Sequence, residues 1–310
     1  MIALLFAEYG PPDVLTVAEV EEPHAGPGEI RVAVRAAGLT PGECALRSGR
    51  VRDSVPLTLP HLLGVDAAGI VDEVGEGVTD VGIGDAVFGM VDLARFGGAA
   101  AEHAVLVAWA AKPDSWSWEQ AGGAAANVET ATRTLDRLGV GAGTTLLVEG
   151  AAGGVGTVVV QLAVARGATV VGTAREPNHD LLAELGAIPT TYGPGLAERV
   201  AALVPRGVDA VLDCAGSGSL PDLVEIAGGP DRVVSIADLR AAEHGVEFSR
   251  GAGPGATTET GLHGLEVAAA LARAGRFTVP LAAAFPLRDA AAAHVLSESR
   301  RARGKIVLTV

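Results

Sequence analysis

The sequence predicts an α/β protein in which a doubly wound parallel sheet is inserted into a β-rich, barrel-forming domain. Residues up to about 118 carry short apolar or alternating runs separated by turn clusters, a pattern typical of a compact barrel. From there to about residue 256, strand patterns alternate with helix patterns, which predicts a parallel sheet covered on both faces. The mixed ending is too short for a third domain. We therefore expect two domains, one formed by residues 1–118 and 257–310 and the other by residues 119–256.

The first 118 residues are predicted to form strands wherever alternating or apolar runs recur between glycine and proline turns. Gly10-Pro11-Pro12 and Gly26-Pro27-Gly28 are two such turns. Little helix is expected in this part of the chain. The predicted strands cover residues 2–6, 14–20, 30–36, 69–74, 85–88 and 103–107.

The rest of the chain switches to helical spacing. One alanine-rich helix is predicted over residues 119–138, and a glycine-rich loop over residues 251–255. The final strand, 306–310, is expected to return to the first domain. Further strands are predicted at 145–148, 169–171, 208–213, 232–236 and 279–285, and further helices at 157–166, 180–185, 196–204, 221–227, 264–274 and 287–301.

Composition limits the classes of partner. The chain has 310 residues, 49% of them hydrophobic, and a formal net charge of −14. That charge argues against nucleic acid or an anionic membrane surface as partners, since both select a basic face. Cys44 and Cys214 lie far apart with no metal-type spacing, which fits a reducing compartment. With no signal peptide apparent in residues 1–10 and no uninterrupted apolar span, we expect a cytoplasmic protein.

A glycine-rich turn between two strands is the strongest local signal. An apolar strand at 145–148 leads into Gly150-Ala151-Ala152-Gly153-Gly154-Val155-Gly156, and a helix and a second strand follow. Glycines let the backbone approach a diphosphate, whose charge a helix N-terminus favours. We interpret Gly153, Gly154, Val155 and Gly156 as a dinucleotide-binding turn; the alternative is a merely structural turn.

The end of the second strand indicates which dinucleotide binds. NAD-binding units usually place an acidic residue there, whereas this chain continues Thr173-Ala174-Arg175. An arginine fork suits the 2′-phosphate of NADP(H), so Thr173 and Arg175 are assigned to cofactor binding. Two alternatives stay open: Arg175 is a solvated surface residue, or Glu176 holds the ribose of NAD(H).

Blocks of residues along nearly the whole chain resemble the medium-chain dehydrogenase/reductase superfamily, in its zinc-free quinone oxidoreductase (zeta-crystallin-like) branch. Their number and order are more specific than the glycine turn alone. The resemblance implies a GroES-like barrel carrying the substrate cleft, an inserted Rossmann domain that binds NADP(H), and a homodimer. The blocks are Gly28 to Val32, Leu46 to Gly49, Pro60 to Val71, Val74 to Val78, Gly82 to Gly89, Gly98 to Glu102 and Gly304 to Leu308.

The resemblance also implies roles for single residues. Thr130 matches a threonine beside the nicotinamide, although a helix residue bonding back to its own chain is the alternative. Tyr192 matches a tyrosine near the adenosine 2′-phosphate, or else it covers a strand end with its hydroxyl in water. Ile236 and Ala237 end the strand that runs under the nicotinamide ribose in the family.

The same comparison predicts that no metal binds. Zinc-dependent relatives have cysteine, histidine and glutamate where this chain has Thr40, Val65 and Asp66. Zinc takes thiolate, imidazole or carboxylate ligands, and one carboxylate does not hold a catalytic ion. Two cysteines also cannot supply a four-cysteine structural site.

The predicted function is NADPH-dependent hydride transfer to a quinone or an α,β-unsaturated ketone, a small apolar carbonyl substrate. The family tyrosine near the nicotinamide is replaced by Ala45, so the proton comes from solvent, from Thr40 or from a ribose hydroxyl. Alternatives are an enoyl or alkenal reductase of a biosynthetic pathway and an NADPH-binding sensor or structural protein with little turnover. Possible substrate-wall residues are Phe88, Met90, Phe96 and Trp109, with a place in the core as the alternative for aromatic and methionine positions.

Overall fold

The computed structural model describes residues 1–95, 97–251, 256 and 260–310. Their strands are β1 (Ile2–Phe6), β2 (Leu15–Glu19), β3 (Ile30–Leu39), β4 (His61–Leu62), β5 (Asp66–Val74), β6 (Ala86–Met90), β7 (His103–Leu106), β8 (Ala108–Ala111), β9 (Thr145–Glu149), β10 (Thr169–Thr173), β11 (Ile188–Thr190), β12 (Ala210–Asp213), β13 (Val233–Ser235), β14 (Glu247–Phe248), β15 (Leu281–Pro286) and β16 (Lys305–Thr309).

Helices lie between these strands. They are α1 (Pro41–Arg47), α2 (Trp118–Gly122), α3 (Ala125–Arg137), α4 (Gly154–Ala165), α5 (His179–Glu184), α6 (Leu196–Leu203), α7 (Leu220–Ala227), α8 (Gly264–Arg273) and α9 (Ala290–Glu298). Within the described residues, none combines the length and the apolar composition that crossing a lipid bilayer requires.

The chain divides into two compact units. The first comprises Met1–Asn127 and Gly264–Val310, and the second comprises Val128–Gly251 and the described residues between 256 and 263. The boundary predicted at 118/119 lies inside the first unit, and the assignment of functional domains stays a prediction.

The first unit is built mainly on antiparallel β-structure, with one parallel pair formed by β15 and β16. One sheet has the order β2-β1-β4, and another runs β15-β16-β3-β5-β6-β8 with β7 also paired to β3. Alternating residues of the long strand β3, such as Ile30, Val32 and Val34, are buried in one core with Phe6 and Leu106. The last strand, β16, pairs antiparallel with β3, which confirms the predicted return of the C-terminus to this part of the chain.

The second unit contains a parallel sheet in the order β11-β10-β9-β12-β13-β14. From β9 the chain winds outward through β10 to β11, then crosses back to β12 and continues to β14, so the sheet is wound in two directions. Its strands are nearly continuous apolar runs, and Leu147, Val171 and Val211 are fully buried. The predicted α/β class with a doubly wound parallel sheet is confirmed.

Two predicted helices were wrong in extent. The helix expected at 119–138 is interrupted between α2 and α3, with Gly123 as the C-cap of α2, and both Gly122 and Gly123 lie close to neighbouring strands. A Cβ on Gly122 would lie 2.4 Å from the Ala36 carbonyl oxygen, and one on Gly123 would lie 2.7 Å from Lys305. The helix expected at 287–301 is limited to α9, preceded by a 3-10 turn over Leu287–Asp289.

Several short helices and strands were not predicted from the sequence patterns. Helix α1 lies in the part expected to have little helix, and β4, β8, β11 and β14 were not predicted. Strands of two to four residues carry too few alternations to show a period. The glycine-rich loop predicted over 251–255 falls almost wholly outside the described residues.

Candidate functional site

The glycine-rich turn joins β9 to the 12-residue helix α4. Gly150 adopts φ +74°, a left-handed conformation that favours glycine. At Gly156 an added Cβ would lie only 2.4 Å from the Gly150 carbonyl oxygen and 2.7 Å from the Ala151 Cα. These two glycines therefore allow the sharp turn and the close approach of helix to strand.

The first turn of α4 is suited to an anion. Its N-cap residue is Gly153, which offers no side-chain cap to the first N–H groups of the helix. Gly153, Gly154 and Val155 are half-buried, whereas Gly156 is buried. The helix dipole and the uncapped N–H groups together favour a bound phosphate. Residues of this segment therefore fit a dinucleotide diphosphate.

Thr173, at the end of β10, holds the turn from behind. It is fully buried, and its hydroxyl accepts a hydrogen bond from the Gly150 N–H at 3.2 Å. Its carbonyl oxygen accepts from the Ala151 N–H at 3.1 Å. Thr173 therefore positions the glycine turn from behind, and its direct contact with the cofactor stays a prediction.

Arg175 follows β10 as an exposed residue. Among the described residues, none forms a hydrogen bond or an ion pair with its guanidinium group. Glu176, the alternative ribose ligand, is exposed beside it. A guanidinium without a protein partner at the end of the second strand is available for a phosphate.

The neighbouring strand β11 brings Tyr192 to the same edge of the sheet. Thr173 pairs with Thr190 in parallel register. Arg175 and Tyr192 each lie two residues beyond this pair, on neighbouring strand ends. Tyr192 is 51% exposed. The carbonyl oxygens of Thr191, Tyr192 and Gly193 accept hydrogen bonds from Arg199 Nη2 at 2.9, 3.4 and 3.2 Å. Arg199 thus holds the loop that carries Tyr192, a role no sequence motif indicated.

Buried carboxylates organise the sheet edge where the winding direction reverses. Glu149 on β9 pairs in register with Asp213 on β12. Asp213 accepts hydrogen bonds from the Ala215 and Gly216 N–H groups and, at 2.7 Å, from the Ser235 hydroxyl. This fixes the loops that follow β12 and β13. Ile236 and Ala237, the expected ribose neighbours, follow Ser235 directly. Ile236 is half-buried and Ala237 is exposed.

Glu149 holds two further serines, Ser217 and Ser219, at this edge. Its carboxyl group accepts hydrogen bonds from the hydroxyls of Ser217, at 2.9 Å, and Ser219. Burial raises the pKa of Glu149, and the nearby charge of Asp213 raises it further, while both serine hydroxyls oppose the shift. No local pattern indicates this group, because only the strand pairing brings Glu149 beside residues more than sixty positions away.

Thr130 lies half-buried on helix α3 of the second unit. Its hydroxyl donates to the side-chain carboxyl group of Glu129 at 3.3 Å. The alternative named above was a hydrogen bond to a backbone carbonyl oxygen of the same helix. Glu129 forms a buried ion pair with Arg133 at 2.8 Å and accepts from the Gly261 N–H at 3.2 Å. The Thr130 hydroxyl is thereby held by a rigid charged neighbour.

Thr40 begins helix α1 in the first unit. A capping box joins it to Glu43: the Thr40 N–H donates to Glu43 Oε2 at 2.7 Å, and the Thr40 hydroxyl donates to the same oxygen at 3.0 Å. Glu43 is 2% exposed, and burial raises its pKa to about 7. The local pattern Thr-x-x-Glu is a capping signature from which this pair could be predicted.

The donors near Thr40 do not fit a zinc ion. Val65 has no ligating atom, and the Thr40 hydroxyl is engaged by Glu43. Asp66 is fully buried, accepts from the Ala126 N–H at 2.9 Å and lies 3.8 Å from Lys305 Nζ. Over the residues that the structure describes, no group of three or more histidine, cysteine, aspartate or glutamate side chains forms a metal site.

The possible substrate-wall residues differ in exposure. Phe88 and Met90 are 0% and 2% exposed, so they belong to the core, whereas Trp109 is half-buried against it. Phe96 lies outside the described residues. In this conformation Phe88 and Met90 therefore pack in the core, which is the alternative to a substrate wall.

Two family models match the chain. Residues 26–129 match the alcohol dehydrogenase GroES-like domain, and residues 192–308 match a zinc-binding dehydrogenase domain. The first match confirms the GroES-like character of the antiparallel part of the fold. The glycine turn and Arg175 lie between the two matched segments.

Similar proteins include both reductases and synthases. The chain is 33% identical over 97% of its length to the spectinabilin polyketide synthase protein NorB of Streptomyces orinoci, but spans only 14% of that protein. It is 34% identical over 60% of its length to the chloroplastic NADPH-dependent alkenal/one oxidoreductase of Arabidopsis thaliana, of which it spans 51%. The quinone oxidoreductase structure from Coxiella burnetii superposes with a TM-score of 0.82 at 29% identity, covering 100% of this chain and 99% of that one.

Proposed function

Because this chain belongs to the medium-chain dehydrogenase/reductase superfamily, in its quinone oxidoreductase branch, we propose that it is an NADPH-dependent oxidoreductase acting without zinc. The substrate class is a quinone or an α,β-unsaturated ketone. The observation that carries the proposal is the pairing of an uncapped glycine turn at α4 with the exposed, unpartnered guanidinium of Arg175 at the end of the next strand. The similarity to an NADPH-dependent alkenal/one oxidoreductase supports the same substrate class.

Each cofactor-binding residue has a physical task in this proposal. Gly153 to Gly156 supply backbone N–H groups to the diphosphate. Arg175 pairs with the adenosine 2′-phosphate, and Tyr192, on the adjacent strand end, borders the same group. Thr130 hydrogen-bonds the nicotinamide carboxamide, and Ile236 with Ala237 borders the nicotinamide ribose.

The protein contributes placement more than reactive groups. When bound, the reduced nicotinamide supplies a hydride. Thr40 hydrogen-bonds the substrate and, as the candidate proton donor, replaces the family tyrosine that is absent at Ala45. Positioning of this kind is the main rate contribution expected where few catalytic side chains exist. Zinc has no part in it, since Thr40 and Val65 cannot replace the thiolate and imidazole ligands of the zinc-dependent relatives.

Exchanging Arg175 for an acidic residue tests the cofactor assignment. Arg175→Asp should weaken NADPH binding by about ten- to a hundredfold, because one charge-assisted hydrogen-bonding group is worth about 1.5–3 kcal/mol. NADH binding should change much less. Fluorescence titration with both cofactors gives the comparison, and Arg206→Asp, at another exposed arginine of the same unit, is the matched control. Equal weakening of both cofactors in Arg175→Asp would refute the 2′-phosphate contact.

A second candidate, an enoyl or alkenal reductase of a biosynthetic pathway, is favoured by the similarity to a polyketide synthase protein over 97% of the chain. The wild-type rate of NADPH oxidation with a quinone, a small enone and an enoyl thioester separates the candidates. A kcat/KM highest for the thioester would favour the biosynthetic reductase. No turnover with any of them, despite NADPH binding, would favour a sensor or structural protein.

We also propose a homodimer, which a light-scattering mass of twice the chain mass would support.

A further inference from the structure

Thr40 and Glu43 form a hydrogen-bonded pair in which only one member is accessible. The Thr40 hydroxyl and Glu43 Oε2 are 3.0 Å apart. Glu43 is 2% exposed, while Thr40 is half-buried at the start of α1. A ligand that reaches this pair from solvent therefore meets Thr40 before the carboxyl group behind it.

We propose that Glu43 is the proton reservoir of the reduction and acts through the hydroxyl of Thr40. This inference rests on the function proposed above. An enone that accepts hydride at its β carbon, with both electrons coming from NADPH, becomes an enolate that needs a proton at its α carbon. Thr40 gives its hydroxyl proton to that carbon while the O–H bond of Glu43 breaks and its proton passes to the threonine oxygen. The Glu43 carboxylate then regains a proton from water through Thr40 once the product has left.

The hydrogen bonds around Glu43 permit this exchange without movement of its side chain. The carboxyl group accepts the Thr40 N–H at 2.7 Å on one oxygen and the Gly64 N–H at 2.8 Å on the other. Both N–H groups keep the carboxyl in place in either protonation state. Ionised Glu43 accepts from the Thr40 hydroxyl, whereas protonated Glu43 donates to it and leaves the threonine proton free to point at a ligand.

The charges around Glu43 keep it ready to exchange a proton near neutral pH. Burial raises the pKa of Glu43 to about 7, the positive charge of Lys305 lowers it and the negative charge of Asp66 raises it. Burial and then the negative charge of Glu43 raise the pKa of the Cys44 thiol, the next residue along α1. An acid whose pKa is close to the working pH is an efficient proton donor.

Matched substitutions at Thr40 separate proton transfer from helix capping. Serine keeps both the cap and the hydroxyl, whereas asparagine keeps the cap and a donor to Glu43 but cannot relay a proton. The assay is kcat for a small enone with NADPH, measured as a function of pH and in D₂O, with NADPH affinity from fluorescence titration as the check on folding. Glu43→Gln is the second variant, and Thr40→Asn/Glu43→Gln completes a double-mutant cycle.

The relay predicts specific differences among these proteins. Wild type and Thr40→Ser should lose kcat as pH rises through about 7 and show a solvent isotope effect. Thr40→Asn and Glu43→Gln should each lose roughly a hundredfold in kcat, together with the inflection and the isotope effect, and the double variant should be no slower. NADPH affinity should be unchanged throughout. Thr40→Asn with the wild-type rate and pH profile would overturn the relay alone, whereas a wild type that reduces no substrate would overturn the proposed function and the relay with it.

Discussion

Replacing Gly156 by alanine tests whether the glycine turn is shaped by close packing of helix α4 on β9. The new Cβ would lie 2.4 Å from the Gly150 carbonyl oxygen and 2.7 Å from the Ala151 Cα. Real Cβ atoms do not approach backbone so closely, so the first turn of α4 must move outward. Overpacking of this kind costs about 1–3 kcal/mol. Because the moved N–H groups are those assigned to the diphosphate, the NADPH dissociation constant should rise by about tenfold.

Two measurements check this result. Thermal unfolding followed by circular dichroism should show a lower Tm, by about 2–4 °C for each kcal/mol lost in a unit of this size. Fluorescence titration gives the NADPH affinity. Gly141→Ala is the control, since a Cβ there would have no atom within 4 Å and the residue needs no left-handed φ. The packing argument is refuted if Gly156→Ala keeps the wild-type Tm and affinity, or if Gly141→Ala loses as much.

Other perturbations test the buried charges and the absence of metal. Lys305→Met should lower the free energy of unfolding by about 3–5 kcal/mol, because Asp66 keeps a buried charge without its partner. Adding Asp66→Asn should restore part of this loss, as measured by urea titration. No recovery in the double variant would contradict the pairing of Asp66 with Lys305. The raised pKa of Glu43 means that the folded chain holds a proton between pH 4.5 and about 7 that the unfolded chain lacks. The stability of wild type relative to Glu43→Gln should therefore decline as pH rises through that window, by up to about 3 kcal/mol, whereas a flat difference would exclude the shift. Exhaustive chelation should leave NADPH oxidation unchanged, and a loss that added zinc restores would show that a metal takes part.

Local sequence signals were sufficient where the physics is local. The glycine turn was placed correctly because a left-handed Gly150 and a tightly packed Gly156 require the residue that lacks a Cβ. The helices and strands around it were found because each repeats its period over several residues. The same reasoning missed the break in the helix expected over 119–138, where Gly122 ends α2 and approaches the Ala36 carbonyl oxygen of a strand far away in the sequence.

The sequence by itself determined the fold class, the glycine turn and the arginine that follows the second strand. Tertiary structure decided which polar groups surround the candidate residues: Thr173 behind the turn, Arg199 under the Tyr192 loop, Glu149 among serines, and the Gly64 N–H against Glu43. The reason is the range of the interactions. A turn or a period is fixed by neighbours along the chain, whereas burial and hydrogen bonding of a carboxyl group depend on residues that only folding brings together.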